Sequence, residues 1–395
     1  IQDRSFNTDG SLFYPANRAF FEGLGNGQDP DGNGAAGLNI DFFGTNDSDI
    51  APIWNPEAFF NVMVVNGVSW PELEVAPAIY RFRLLNGSNS RFLNLLLRMN
   101  QSANQNGMEL PFYQIGAEQS VLPQVVRIET GFATPLPGDG SDVDPKYQTC
   151  EKIAGKKVKP IGNCVPAQAA PFADQAMLMG PAERADVLVD FRGLDDGDVV
   201  RMYNTAPDAP FGGFPDVPAD PATTGQVMQF RVNHALLGSS PTDPVLANGN
   251  PNPTAATDPT MVTLSLPEKN DPAYTGVGDK VVAVPRDLAL LEEESLTVCV
   301  KINAVTGRID QIAGTPDENG NCINTTGDPT IEVFPFGPKA AVLGYNGTAG
   351  GDVQLWADPI RQNPDLNSTE TWELWNWSAD AHPIHLHLVK FKVLN

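Results

Sequence analysis

Phe59-Phe-Asn-Val-Met-Val-Val65-Asn66-Gly67-Val-Ser-Trp70-Pro-Glu-Leu-Glu-Val75 reads as strand, tight turn, strand. Asn-Gly between apolar, β-branched runs is a strong short-range hairpin signal, because both residues accept the positive φ that a two-residue turn requires. Working outward, similar short runs recur at Ile79–Leu85, Arg91–Leu97, Gln124–Ile128, Asp186–Phe191 and Val227–Val232, separated by Gly, Pro and Asn. Short strands with frequent turn signals predict an all-β sandwich. The 36 glycines and 35 prolines agree with a turn-rich β architecture, and 41% apolar residues are enough for real cores.

Length suggests two domains. Residues 1–235 form the first predicted unit. Asn233 to about Pro259 is rich in Pro, Asn, Ser and Thr and reads as a linker, placed at 236–259. A second sandwich, 260–395, is expected to begin near Met261–Leu266. It continues through Leu296–Ile302 paired with Asp310–Ile312, then Ala341–Leu343, Val353–Trp356 and Glu370–Trp377. The alternating Trp372, Trp375 and Trp377 read as core or interface aromatics.

The chemistry concentrates at His382-Pro-Ile-His385-Leu-His387-Leu-Val-Lys-Phe-Lys-Val-Leu-Asn395. Three of the four histidines fall within six residues. Neutral imidazole is the commonest metal ligand and suits copper, zinc and iron. The flanking apolar residues predict a strand, on which His385 and His387 would share a face and His382 would be offset beyond Pro383. The fourth histidine, His234, stands alone at the edge of a loop and reads as an ordinary surface residue.

This segment resembles the His-Pro-x-His-Leu-His motif of multicopper oxidases, especially the bacterial laccase and bilirubin-oxidase branch. Val65–Val75, Tyr80–Asn86, Gly180-Pro-Ala-Glu-Arg-Ala-Asp186 and Gly225–Arg231 resemble the second domain of the same branch. The resemblance implies cupredoxin-like Greek-key β-sandwiches, the last one incomplete here, with copper as cofactor. It implies that His382 binds a mononuclear type 1 copper where electrons enter. His385 and His387 would serve the trinuclear type 2/type 3 cluster. It also implies oxidation of phenols, aromatic amines or tetrapyrroles, with dioxygen reduced to water. The partners implied are a small aromatic reductant and O2.

The family's blue copper also needs a cysteine thiolate, a second histidine and usually an axial methionine. Its cluster needs two further His-x-His pairs. The chain opens and closes within apparent strands, so it is expected to be the middle of a longer oxidase, partnered by N- and C-terminal segments of the same protein and inactive alone. Two other classes stay open: a copper-poor cupredoxin scaffold, and a mononuclear zinc site made by His382, His385 and His387. The eight methionines are scattered, which disfavours a cuprous-ion specialisation.

With 25 Lys and Arg against 48 Asp and Glu, the net charge is −23, which argues against nucleic acid and anionic membrane as partners. No apolar run approaches the ~20 residues needed to cross a bilayer. The four cysteines allow three pairings. The local one, Cys150–Cys164 and Cys299–Cys322, closes two short loops and points to a periplasmic, secreted, spore-surface or cell-surface location. Asp29–Gly34 begins like a calcium loop but lacks its closing acid, and reads as an acidic turn. The sequons at Asn86 and Asn376 lie on or beside predicted strands, which argues against glycosylation there.

Overall fold

The computed structural model describes residues 1–13, 49–50, 57–102, 107–128, 177–211, 218–237, 280–281, 285–303, 309–314, 317, 321–324, 331–345, 352–366, 368–378, 380–389 and 391. The expectations for Cys150–Cys164, the acidic turn at 29–34, the strand at 261–266 and most of the linker lie outside these residues.

Among the described residues the regular structure is β, apart from one 3-10 turn at His234–Leu237. Two sheets dominate residues 1–235. One orders Met177–Met179, Leu93–Gln101, Val199–Asn204, Gln226–Val232 and Glu72–Val75, with Glu109–Leu110 against Leu93–Gln101. Its last pair is parallel, Gln229 opposite Glu72. The other orders Ser120–Ile128, Phe112–Ala117, Arg184–Asp190 and Ile79–Leu85. Leu93, Leu95, Leu97, Val200, Met202 and Phe230 from the first face Leu84, Phe112, Val187 and Val189 from the second in one buried cluster. This is the expected all-β sandwich. Each such side chain contributes roughly 1.5–3 kcal/mol by leaving water.

The predicted hairpin forms. Val62–Val65 pairs with Val68–Ser69 through a turn in which Asn66 and Gly67 have φ of 51° and 86°. Gln2–Phe6 pairs with Val62–Val65, and Met63 reaches from this small sheet into the main core. A buried ion pair secures the junction. Arg91 Nε lies 3.0 Å from Asp3 Oδ2, and both side chains are essentially inaccessible to water, at 1% and 0% exposure. Arg91 also donates to the Phe60 carbonyl at 2.8 Å and to Asp208, while Asp3 Oδ2 accepts from the Phe60 amide at 2.9 Å.

Asn86 is fully buried and donates to the carbonyls of Arg91 and Met179 at 2.8 and 3.0 Å. Asn86 is therefore a structural bracket.

Beyond residue 280, Arg286–Glu293 lies between Ala340–Tyr345 and Trp372–Asn376, the latter pairing parallel. Cys299–Asn303 pairs with Ile309–Gly314, as the sequence implies, and with Ile331–Pro335. Cys299 is disulfide-bonded to Cys322. Asp49 joins this region to earlier chain. Its carboxylate meets Lys339 Nζ at 2.8 Å, the Ser295 and Thr297 hydroxyls at 2.5 and 2.7 Å, and the Leu296 amide at 2.9 Å. Burial alone would raise its pKa, but these donors outweigh burial and hold it far below the usual carboxylate range. Leu343 and Leu374 of the four-stranded sheet stay exposed, so that sheet is less covered than the first sandwich.

One expectation fails. The histidine segment is not a strand: residues 381–386 carry no regular structure, and a bend follows at 387–388. Its polar backbone atoms bond to the first sandwich instead. Ala381 N donates to Phe211 O at 2.7 Å, and Leu386 O accepts from the Gln119 side chain. Pro383 has no N–H for a ladder, and Leu388 has a φ of 66°, outside the β region.

Candidate metal centre

Trp372–Asn376 delivers the chain to a turn built by its last residue. Asn376 Oδ1 accepts from the Ser378 amide at 3.0 Å and from its hydroxyl at 2.7 Å, while Nδ2 donates to Asp380 O at 2.6 Å. Such side-chain-to-backbone bonds are how Asn reverses a chain. The Asn376 side chain is thus spent on a turn. Ala381 then packs against Phe92, Ala206 and Phe211, with the two phenylalanine rings stacked at 5.0 Å. Trp375 and Trp377 stack at 6.2 Å, half-buried, in keeping with the aromatic pattern.

Pro383 lands on Gly180. A Cβ there would sit 2.7 Å from Pro383 Cβ and 3.1 Å from the Phe92 ring, so the close approach requires glycine. Neither ring is flexible enough to yield. Gly180→Ala should therefore push the histidine segment off the sandwich. The expected result is faster amide exchange at His382–His387 and about 1–3 kcal/mol of lost stability. Unchanged exchange there would refute this docking.

His382 is half-buried. Its Nε2 lies 2.5 Å from Ser378 Oγ and 3.7 Å from Glu292 Oε1. Burial holds its pKa below the ordinary value, against a smaller opposing effect of Asp380. It is therefore neutral at pH 7, the form that binds metal. Ser378 has one hydroxyl hydrogen, directed to the pure acceptors Asn376 Oδ1 and Asp380 O at 2.7 and 3.1 Å. Its oxygen must then accept from His382 Nε2–H, which leaves Nδ1 with the lone pair.

His385 sits in a different setting. Its Nδ1 lies 2.6 Å from Glu118 Oε2. Arg184 Nη1 lies 2.6 Å from Nε2 and 3.1 Å from Nδ1. Glu183 is adjacent; burial raises its pKa, the amide of Gly180 opposes this, and Glu118 adds to the rise. His387 is exposed, with its ring edge-on to His385 at 4.9 Å between centroids. His234 stays remote, its Nε2 at 3.0 Å from Leu194 O.

The structure thus brings His385 and His387 together and gives His382 separate company. Among the described residues, the one group of three possible ligands with donor atoms within 4.8 Å of one another is Glu57, Glu292 and Asp380. The three imidazoles do not converge on a single point, so a mononuclear three-histidine zinc site finds no support. In donor type the set fits copper: imidazoles with a free Nδ1 at His382 and a close pair at His385 and His387. The sequence alone assigns no role to Glu118, Arg184, Ser378 or Gly180. The run Gly180-Pro-Ala-Glu-Arg184 is conspicuous as a sequence, but nothing in it names its partner.

Residues 341–395 match the family model described as multicopper oxidase. Over 395 residues the chain is 26% identical to a laccase from Bacillus stratosphericus and 26% identical to a laccase from Bacillus subtilis (strain 168). The alignments cover all of this chain but 47% and 46% of those proteins, so the chain spans about half the length of these curated relatives. Among solved structures it is similar to the McoA multicopper oxidase from the hyperthermophile Aquifex aeolicus, at 21% identity and a TM-score of 0.33, covering 74% of this chain and 37% of that one. Matched by the family model at its histidine end and aligned with laccases along its whole length, the chain is similar to the multicopper oxidases, a family that works through type 1 and trinuclear copper centres.

Proposed function

We propose that this chain supplies the central and part of the C-terminal domain of a laccase-type oxidase acting on phenols, aromatic amines or tetrapyrroles. The domain division at 236–259 and a location outside the cytoplasm belong to the same proposal, the latter supported by the Cys299–Cys322 disulfide. The observation that carries the reading is the separation of the motif's histidines into two environments, His382 among Ser378 and Glu292 and His385 against Glu118 and Arg184.

Copper, when bound, would supply one-electron oxidation of the donor and four-electron reduction of dioxygen to water. The chain's own residues do the holding. Ser378 fixes the His382 ring with Nδ1 free, and burial keeps that ring neutral. Pro383, wedged on Gly180, sets the spacing between His382 and the His385–His387 pair. Fixed ligands need little rearrangement when the charge of a bound ion changes, which suits electron transfer. The remaining ligands, a cysteine among them, would come from other segments.

The test is elemental analysis and visible spectroscopy of the whole gene product. Several coppers per molecule and the strong visible band of a Cu–thiolate bond are expected. Stoichiometric zinc without copper would sink the oxidase reading. A copper-poor scaffold is the second reading, favoured by the guanidinium 2.6 Å from His385 Nε2. It predicts neither band nor metal.

A further inference from the structure

We propose that Glu118 is the positioning residue for His385, and that the Arg184 guanidinium, lying against the ring, opposes a metal ion at the other nitrogen; this rests on reading His385 as a copper ligand. The argument begins with donors and acceptors. An ionised carboxylate only accepts and a guanidinium only donates. Glu118 Oε2 at 2.6 Å therefore takes a proton from Nδ1, which leaves the lone pair on Nε2. Arg184 Nη1, 2.6 Å from Nε2 and 3.1 Å from Nδ1, lies against the ring face, so the tautomer is set by Glu118 alone. A carboxylate on the far nitrogen is the usual way a protein orients and strengthens a ligating imidazole.

Both partners are themselves held. Glu118 Oε1 accepts from the Arg184 amide at 2.9 Å, and Glu118 N donates to Arg184 O at 3.0 Å. Arg184 Nη1 also donates to Ala182 O at 2.7 Å. Glu118 occupies the first central position of the two-residue turn between Ala117 and Ser120, with φ of 53°. Glycine is the ordinary residue for that conformation, so the turn alone gives no reason for glutamate. Strained backbone of this kind clusters where a side chain has a task. The neighbouring Gln119 side chain bonds Leu386 O, which fixes the backbone after His385 from the same turn.

A cation approaching Nε2 meets a guanidinium 2.6 Å from that nitrogen and of the same sign of charge. Metal binding and the Arg184–His385 contact therefore oppose each other, and removing each partner should act in opposite directions.

The experiment uses the 395-residue chain and its variants. Long-range 1H–15N spectra of the metal-free protein read the His385 tautomer. Cu(II) titration against a competing chelator reads affinity at the site that His385→Ala abolishes. The wild type should show Nδ1–H. Glu118→Gly should mix the tautomers and weaken Cu(II) about 10–100-fold while the chain stays folded, since glycine suits the turn. Glu118→Gln should keep most of the affinity, because its amide oxygen still accepts from Nδ1. Arg184→Ala should tighten Cu(II) by about tenfold, because a like charge beside the site is removed. An Nε2–H tautomer in the wild type, or Glu118→Gly and Arg184→Ala shifting affinity the same way, overturns the proposal. A wild-type chain that binds no Cu(II) overturns the ligand reading and Arg184's opposition to metal, while the tautomer still decides the role of Glu118.

Discussion

His382→Ala is expected to abolish the visible Cu–thiolate band and substrate oxidation in the whole oxidase, whereas His385→Ala and His387→Ala should keep the band. In the latter two, a reducing substrate should still bleach the colour, and air should fail to restore it. The expectation follows from the resemblance that places His382 at the electron-entry copper and the other two at the oxygen-reducing cluster. The structure gives it a geometric basis. His382 is packed within the last unit, against Ser378 and Glu292, while His385 is carried by the turn residues of the first sandwich. Removing one ring therefore leaves the other's supports in place. Absorption spectra of the three variants during anaerobic reduction and reoxidation provide the check. One shared phenotype, such as loss of a single metal ion with identical spectra, would mean a single centre and defeat the assignment.

Arg91→Ala should cost about 3–5 kcal/mol, because it strands a carboxylate in the interior. Asp3 is fully buried, and its Oδ2 accepts from Arg91 Nε and the Phe60 amide. Without the guanidinium, the Asp3 carboxylate loses its counter-charge in a region water does not reach. Replacing a buried ion pair by apolar groups of similar volume is often nearly neutral. Asp3→Leu with Arg91→Met should therefore be less destabilising than the sum of the two single changes. Urea denaturation monitored by tryptophan fluorescence measures all of these variants. A loss for Arg91→Ala below about 1 kcal/mol, typical of exposed pairs, would show that this pair does not hold the N-terminal strand in place.

Elements whose signals lie close together along the chain are legible in the sequence. Asn66-Gly67 specifies its hairpin because both residues accept positive φ, and the turn closes between neighbours. Cys299 and Cys322 pair across a short loop for the same local reason. Phe112–Ala117 and Val199–Asn204 carry no comparable signal, although both are interior strands of their sheets. Phe112-Tyr-Gln-Ile-Gly-Ala117 is interrupted by Gln114 and Gly116, and only its neighbours on both sides make it a strand.

The histidine motif shows the limit from the other direction. Its residue types, and hence its capacity to offer metal ligands, are written in six consecutive positions. Its shape is not, because β-prone residues at Leu386 and Leu388 give way to contacts made by Ala381, Pro383 and Leu386 with the first sandwich. The residues around His385 have no local signal at all. Glu118 and Arg184 are 66 positions apart, and His385 lies 201 beyond Arg184. The register that sets Ala117 opposite Ala185 brings the first two together. The seating of Pro383 on Gly180 brings the third. Sequence determined which side chains could bind a metal, since that is a property of each residue; only the tertiary structure decided the partners of the His382 and His385 rings, since those are set by packing.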